Sequence, residues 1–421
     1  MHSPQLIRLW FSERPDLSIT AVSLKDANGR EFTLAAPERD PADPLLVLVP
    51  VSLPLPPGRY TVAWRTAASD GHPSRGTFSF VVLGSAGLPA GPPPRATDRI
   101  GTSTVASASS MTGESGEVAD AASSVSNSLA RTLSFVGLLV LIGATTFRAL
   151  VLHRARGIST QMRDQMEARA ALLGLSASVL VLLGVFARLF LESQMMSAMP
   201  GMETMSMTEM AMHTQWGLAL RLEIGAAVLA LVSFALARRR LRGAWLAASI
   251  SAIVLAVTPA LAGHAAASPK FTSLMIATDF LHVLGGASWL GSLLAVMVVG
   301  IPLSLTLDGA ERWSTVASLV NSFSQVALPS VAIVVGSGLL ASWVHLEHLS
   351  SLWQTEYGQV LLLKLLLVAV TLTIGAYNFR RVQPQLVNEV GAVRLRLSAA
   401  IELGFGFLIL LVTGFLTGIS P

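Results

Sequence analysis

Eight of the fourteen methionines in this 421-residue chain fall within one short stretch: Met195, Met196, Met199, Met202, Met205, Met207, Met210 and Met212, followed by His213. Thioether sulfur is a soft, uncharged ligand that suits Cu(I) and Ag(I), and unlike a thiolate it withstands oxidising surroundings. The chain has no cysteine, so soft-metal chemistry falls to methionine and histidine. Methionine also serves as flexible core filler. Here Ser, Thr and Glu are interspersed among the sulfurs, which reads as a water-facing loop with no core to fill. Capture of a soft monovalent ion is the chemistry such a loop suits.

Imidazoles form a second set. Gly263-His264-Ala265 closes one apolar run, and Asp279-Phe-Leu-His282 lies inside the next. If that next run is a helix from Thr272, His282 is ten residues in and sits near mid-membrane at about 1.5 Å per residue. Ionisable groups at that depth are costly and mark function by default. Met275, Asp279 and His282 share a helix face, so a path descending from His264 would meet donors at successive depths. Hydrogen bonding between helices is the plainer role for Asp279 and His282, and packing for Met275. His345 and His348, at i, i+3 with Glu347 between them, read as an outer metal entry or as a polar helix end meeting headgroups.

These residues need elements to hold them. Hydrophobic residues make up 52% and charged residues 13%, and mean hydropathy is +0.61; soluble chains carry about 25% charge. Apolar runs at roughly 130–152, 168–192, 214–237, 243–263, 272–300, 314–346, 358–379 and 395–418 can each cross about 30 Å of hydrocarbon. Pro329 and Gly336-Ser-Gly338 predict a kink or break in the sixth. The loops after runs 1, 3, 5 and 7 hold thirteen arginines, and those after runs 2, 4 and 6 hold Lys270 alone. Positive loops stay cytoplasmic, so both termini are expected outside the cytoplasm. Buried charges in the runs call for partners, with Arg188 expected to pair with Glu192 at i, i+4 and Arg221 to lie near Glu223; Lys364 and Glu402 are expected in ion pairs too. Trp289 reads as an interfacial or packing residue.

Residues 1–83 follow a different grammar. Gln5 to Phe11, Leu45 to Val51, Arg59 to Thr66 and Thr77 to Leu83 are short, alternating and punctuated by Pro and Gly, which predicts strands of a small all-β sandwich. Residues 84–128 are rich in Gly, Pro, Ala and Ser, with little to bury, and predict a flexible linker. The fold class expected is therefore mixed and multidomain: an all-β sandwich, immunoglobulin- or cupredoxin-like, then an all-α polytopic bundle of eight transmembrane helices over 129–421. No signal peptide precedes the first strand, so the natural beginning is expected to be missing.

Phe11-Ser-Glu13, Gly58-Arg-Tyr-Thr-Val-Ala-Trp-Arg65, Ser69-Asp-Gly-His-Pro73 and Gly76-Thr-Phe-Ser-Phe80 resemble the CopC family of copper-binding sandwiches. That resemblance implies a Cu(II) site using Asp70 and His72. The family's third ligand, an amino-terminal histidine on a first strand, has no counterpart here, and His2 does not occupy its place in the pattern. Gly263-His-Ala265 and the run Asp279 to Gly291, with its Trp289-Leu-Gly291 end, resemble the CopD copper-resistance family over about 130–418. Together the resemblances imply a fused protein that brings copper from the periplasm to the cytoplasm, with Cu(I) in the methionine loop and bundle.

The expected function is copper import and homeostasis by a bacterial inner-membrane protein that is not an enzyme; no P-loop is present to drive it with ATP. Partners expected are copper ions, the lipid bilayer and periplasmic copper chaperones, with no role for nucleic acid. Two other classes remain open from sequence: a copper-holding sensor or delivery module for oxidase assembly, and a b-type haem electron carrier ligated by two helix histidines.

Overall fold

The computed structural model describes residues 3–11, 13–67, 73–83, 115–197, 211–212, 214–267, 271–345, 350–383 and 389–419, the side chains at 115–124, 195–197, 215, 264, 267, 345, 382 and 389–393 excepted. The chain divides into two compact units: one takes in residues 1–123, the other nearly all of the remainder.

Among the described residues the first unit has seven strands: β1 (Leu6–Trp10), β2 (Ala21–Asp26), β3 (Glu31–Phe32), β4 (Glu38–Arg39), β5 (Leu46–Pro50), β6 (Gly58–Ala67) and β7 (Pro73–Val82). They form an antiparallel sheet of order β1-β5-β4 and another of order β3-β2-β6-β7. Alternation of side chains puts one face of each sheet inward. Ile7, Leu9, Val47 and Val49 come from the first sheet, and Leu24, Tyr60, Val62 and Val82 from the second; together they make one buried core. Each such side chain contributes about 1.5–3 kcal/mol by leaving water. Tyr60 stacks on its cross-strand partner Phe80 with centroids 5.6 Å apart, and Phe11 meets Trp64 edge-on at 5.1 Å. Gly76 lies opposite Trp64 because a Cβ there would come within 2.6 Å of the indole.

The second unit is helical. Its long helices are α1 (Ser115–Thr146), α2 (Thr160–Ser197), α3 (Gln215–Arg238), α4 (Ala244–Leu261), α5 (Thr272–Gly286), α6 (Gly309–His345), α7 (Glu356–Tyr377) and α8 (Glu389–Leu416). A π-helical turn, Phe147–Leu152, extends α1, and another, Asn378–Val382, extends α7. α5 runs on through two π-helical turns, Ala287–Gly291 and Val296–Gly300, to Ser304. Among the described residues eight helices are long and apolar enough to cross a membrane.

Three expectations are corrected. Helix α1 begins at Ser115, inside the stretch expected to be linker; after Pro94 that stretch has no proline and is rich in alanine, the best helix former. α6 continues through Pro329 and Gly336-Ser-Gly338 without a break, and the small residues instead seat a neighbouring side chain. Arg188 pairs with Glu223 on α3 at 3.5 Å, and Glu192 with Arg131 on α1 at 3.8 Å, rather than with each other. Both ion pairs cross between helices, where each charge has already left water and a partner across the gap replaces lost solvation.

Helices α1 and α5 meet backbone to backbone. A Cβ on Gly143 would overlap the backbone of Gly291, and one on Gly291 would overlap the Leu139 carbonyl. Small residues at such crossings let membrane helices approach without an intervening layer of side chains.

Candidate functional site

His282 lies on α5, eleven residues into a helix that opens at Thr272. Its Nδ1 is 3.0 Å from the Ser337 hydroxyl on α6, and that hydroxyl donates to the Ile333 carbonyl at 2.6 Å. A hydroxyl has one proton. Donation by Nδ1–H to that hydroxyl leaves the lone pair of the neutral ring on Nε2, and the other tautomer reverses the direction of the contact. Gly338 completes the seat: a Cβ there would stand 3.4 Å from Cε1 of the imidazole. The Gly-Ser-Gly segment thus gives the ring both its clearance and its hydrogen bond.

Met275, two turns before His282 on the same face, is fully buried. Asp279 is partly buried and acts electrostatically on Lys364 and Tyr357 of α7; Lys364 in turn acts on His282. The face predicted for α5 therefore touches a hydroxyl of α6 and lies in the field of a cation on α7. Lys364, read from sequence as a charge seeking an ion-pair partner, belongs to this cluster.

The other sequence-predicted ligands fall into two groups. Asp70, His72, Met199, Met202, Met205, Met207, Met210, His213 and His348 lie outside the described residues. Met195 and Met196 are placed by backbone in the closing turns of α2, His264 opens a short helical turn (His264–Ala267), and His345 is the last residue of α6. Met212 is exposed. The Arg221 guanidinium donates to the carbonyl of Ala211, just before Met212, so α3 ties down the end of the methionine stretch. The ion pair of Glu223 is made with Arg188. Among the described residues no three His, Asp or Glu side chains gather as a metal cage.

A second polar centre was not assembled from sequence. Glu402 of α8, 3% exposed, accepts a hydrogen bond from Trp289 Nε1 at 3.1 Å and one from Asn378 Nδ2 at 3.0 Å. Trp289 is thus a buried donor as well as a packing residue. The carboxyl lines a cavity of about 310 Å3, mostly apolar, among α5, α6, α7 and α8, with Asn378, Arg380 and Gln383 on the same wall. Gln383 donates to Asn321 at 2.6 Å and accepts from Ser324, bridging α7's extension to α6 at that end. The signal that could have found this centre was the presence of Glu402 and Trp289 in apolar runs, but their meeting depends on helix packing.

Comparison with known proteins adds three family matches. The CopC domain family matches residues 1–83, the copper resistance protein D-like N-terminal domain matches 119–271, and copper resistance protein D matches 317–416. The copper transport protein CutJ of Bacillus subtilis is 24% identical over 378 residues, covering 90% of this chain and 64% of that protein. Copper resistance protein C of Escherichia coli is 33% identical over 86 residues, 68% of its length and 19% of this chain. Protein YobA of Escherichia coli K12 is 30% identical over 80 residues, 64% of its length. The chain thus spans just under two thirds of the length of CutJ and of YobA.

Proposed function

Because the chain belongs to the CopC/CopD fusion family of copper-resistance proteins, we propose that it binds copper outside the cytoplasm and carries it inward across the bacterial inner membrane. The name of its CutJ relative, a copper transport protein, supports the activity. The arginine-rich loops after the odd-numbered helices support periplasmic termini. In this reading the β domain takes Cu(II) at Asp70 and His72, and periplasmic chaperones supply the metal. The methionine loop from Met195 to Met212, with His213, collects Cu(I) beside His264, His345 and His348. The chain is not an enzyme, and its partners are the metal, the bilayer and those chaperones.

The observation that carries the reading is the His282 imidazole inside a membrane-spanning helix, with Nδ1 3.0 Å from the Ser337 hydroxyl. A ring fixed through one nitrogen is prepared to bind metal through the other. Asp279 beside it offers an anionic oxygen to a passing cation. Copper uptake into proteoliposomes tests the proposal: His282→Ala should lower the initial rate at least tenfold, and unchanged flux removes His282 from the path.

A further inference from the structure

Helix α7 carries polar side chains at strict intervals of seven: Tyr357, Lys364, Thr371 and Asn378. Seven residues make nearly two turns, so these positions lie along one slowly drifting face. From Lys364 to Asn378 that face descends about 21 Å at 1.5 Å per residue. Helix α5 has the same spacing at Met275, His282 and Trp289. Lys364 in the upper part of the stripe interacts electrostatically with Asp279 and His282, and Asn378 in the lower part donates to Glu402, which also accepts from Trp289. The cluster around His282 and the Glu402 centre are therefore two stations on one polar seam.

Glu402 differs from Glu192 and Glu223. Glu192 and Glu223 each have an arginine across a helix interface. Among the described residues Glu402 has no ion-pair partner; its two hydrogen-bond donors, an indole and an amide, are neutral. Other ionisable groups on the surrounding helices include Arg380 on the cavity wall, Tyr377 and Arg381 close to it in sequence, Arg394 and Arg396 about two turns earlier on α8, and Asp279 and His282 on α5. Tyr357 and Lys364 stand higher on α7, and α6 contributes no ionisable residue to the cavity lining. A carboxylate held in a low-dielectric bundle without a counter-ion costs several kcal/mol, whereas a carboxylic acid can remain there with its hydrogen bonds. Such a group changes charge when a cation or water approaches, and the adjoining cavity provides the approach.

We propose that Glu402, cradled by Trp289 and Asn378 at the cavity wall, is a proton-binding site that exchanges its proton for a monovalent cation moving along the seam. The inference rests on the transport reading above and names its coupling ion. When the cation enters the lower half of the seam, the Glu402 O–H bond breaks, the proton passes to water in the cavity, and the carboxylate left behind balances the arriving charge. When the cation leaves, a proton from water restores the acid. No electron is transferred, and the net charge of the site is unchanged throughout.

The test uses the full chain in proteoliposomes with a trapped pH dye, together with infrared difference spectra of the same samples across a pH series. The wild type should show proton movement opposite to Cu(I) influx, and Glu402→Gln should cut the protons moved per copper at least tenfold. A protonated-carboxyl band should titrate in the wild type and be absent in Glu402→Gln. Glu402→Asp, which keeps the acid, should retain part of the coupling. Copper influx with no proton movement, or proton movement intact in Glu402→Gln, overturns the proposal while leaving transport standing. Absence of copper influx in the wild type instead sinks the transport reading. The infrared band then decides the proton site alone: titration sensitive to Glu402→Gln upholds it, and no such band overturns it.

Discussion

His282 Nδ1 lies 3.0 Å from the hydroxyl of Ser337, a residue 55 positions later on the neighbouring helix. The same hydroxyl is 2.6 Å from the Ile333 carbonyl and 3.2 Å from that of Val334. Ser337→Ala should therefore preserve the imidazole but release its orientation. Loss of such an outer partner costs about 10- to 100-fold in metal affinity or activity, so Ser337→Ala should transport copper more slowly than wild type yet faster than His282→Ala. Equal rates for Ser337→Ala and wild type would show that the hydrogen bond does not orient a ligand.

Removal of the methionine stretch gives a different signature. Replacing residues 195–213 with a Gly/Ser segment should lower the copper content of protein purified under reducing conditions, with helical content unchanged by circular dichroism. Unchanged metal content would assign those thioethers to packing.

The Arg188–Glu223 pair separates loss of a partner from loss of both. Arg188→Met leaves Glu223 buried without its cation and should destabilise the detergent-solubilised protein by about 3–5 kcal/mol, whereas Arg188→Met with Glu223→Met should recover most of that loss. Thermal unfolding of the two variants beside wild type measures the difference. A double variant as unstable as the single one contradicts the pairing.

Close approach at Gly143 and Gly291 predicts position-specific sensitivity. Gly291→Val must displace backbone on α1 and should cost at least about 1–3 kcal/mol, the usual range for overpacking. Gly225→Ala on α3, where an added Cβ meets nothing within 4 Å, should be neutral or slightly stabilising in the same unfolding assay.

In the β domain, burial pushes the Tyr60 phenol above its ordinary value; Asp26 adds to the shift and Arg30 opposes it. The hydroxyl donates to the Pro56 carbonyl at 2.8 Å. The folded state thus keeps this proton at a pH where the unfolded chain has lost it. Its contribution to stability is full below about pH 10 and is lost as pH rises through the raised folded value. Phenolate absorbance of wild type minus that of Tyr60→Phe should titrate above free tyrosine, and a difference curve centred at or below it would contradict the burial.

Legibility in the sequence followed the range of the interactions involved. The eight membrane helices were readable because a span is a property of about 20 consecutive residues. Strands β1, β5, β6 and β7 were readable from alternation, while β2, with Ser23, Lys25 and Asp26 among its six residues, lacked an apolar run long enough to mark it. His282 was found because a histidine in an apolar run is rare, but its partner Ser337 lay in a segment whose glycines suggested a break. Glu402, Trp289 and Asn378 were scattered across three helices, and no local pattern brings together residues 24 and 113 positions apart. The Arg188 assignment failed for the same reason: i, i+4 spacing permits a pair, but packing against α1 and α3 offered each charge another partner.

Those crossed pairs bear on how the protein is made. Helix α2 carries an anion, Glu192, that closes on Arg131 of the helix made before it, and a cation, Arg188, that stays unmet until Glu223 of the helix made after it arrives. The first three helices consequently settle as a trio, and a ribosome paused after α2 holds a segment that the translocon must shelter until the third arrives.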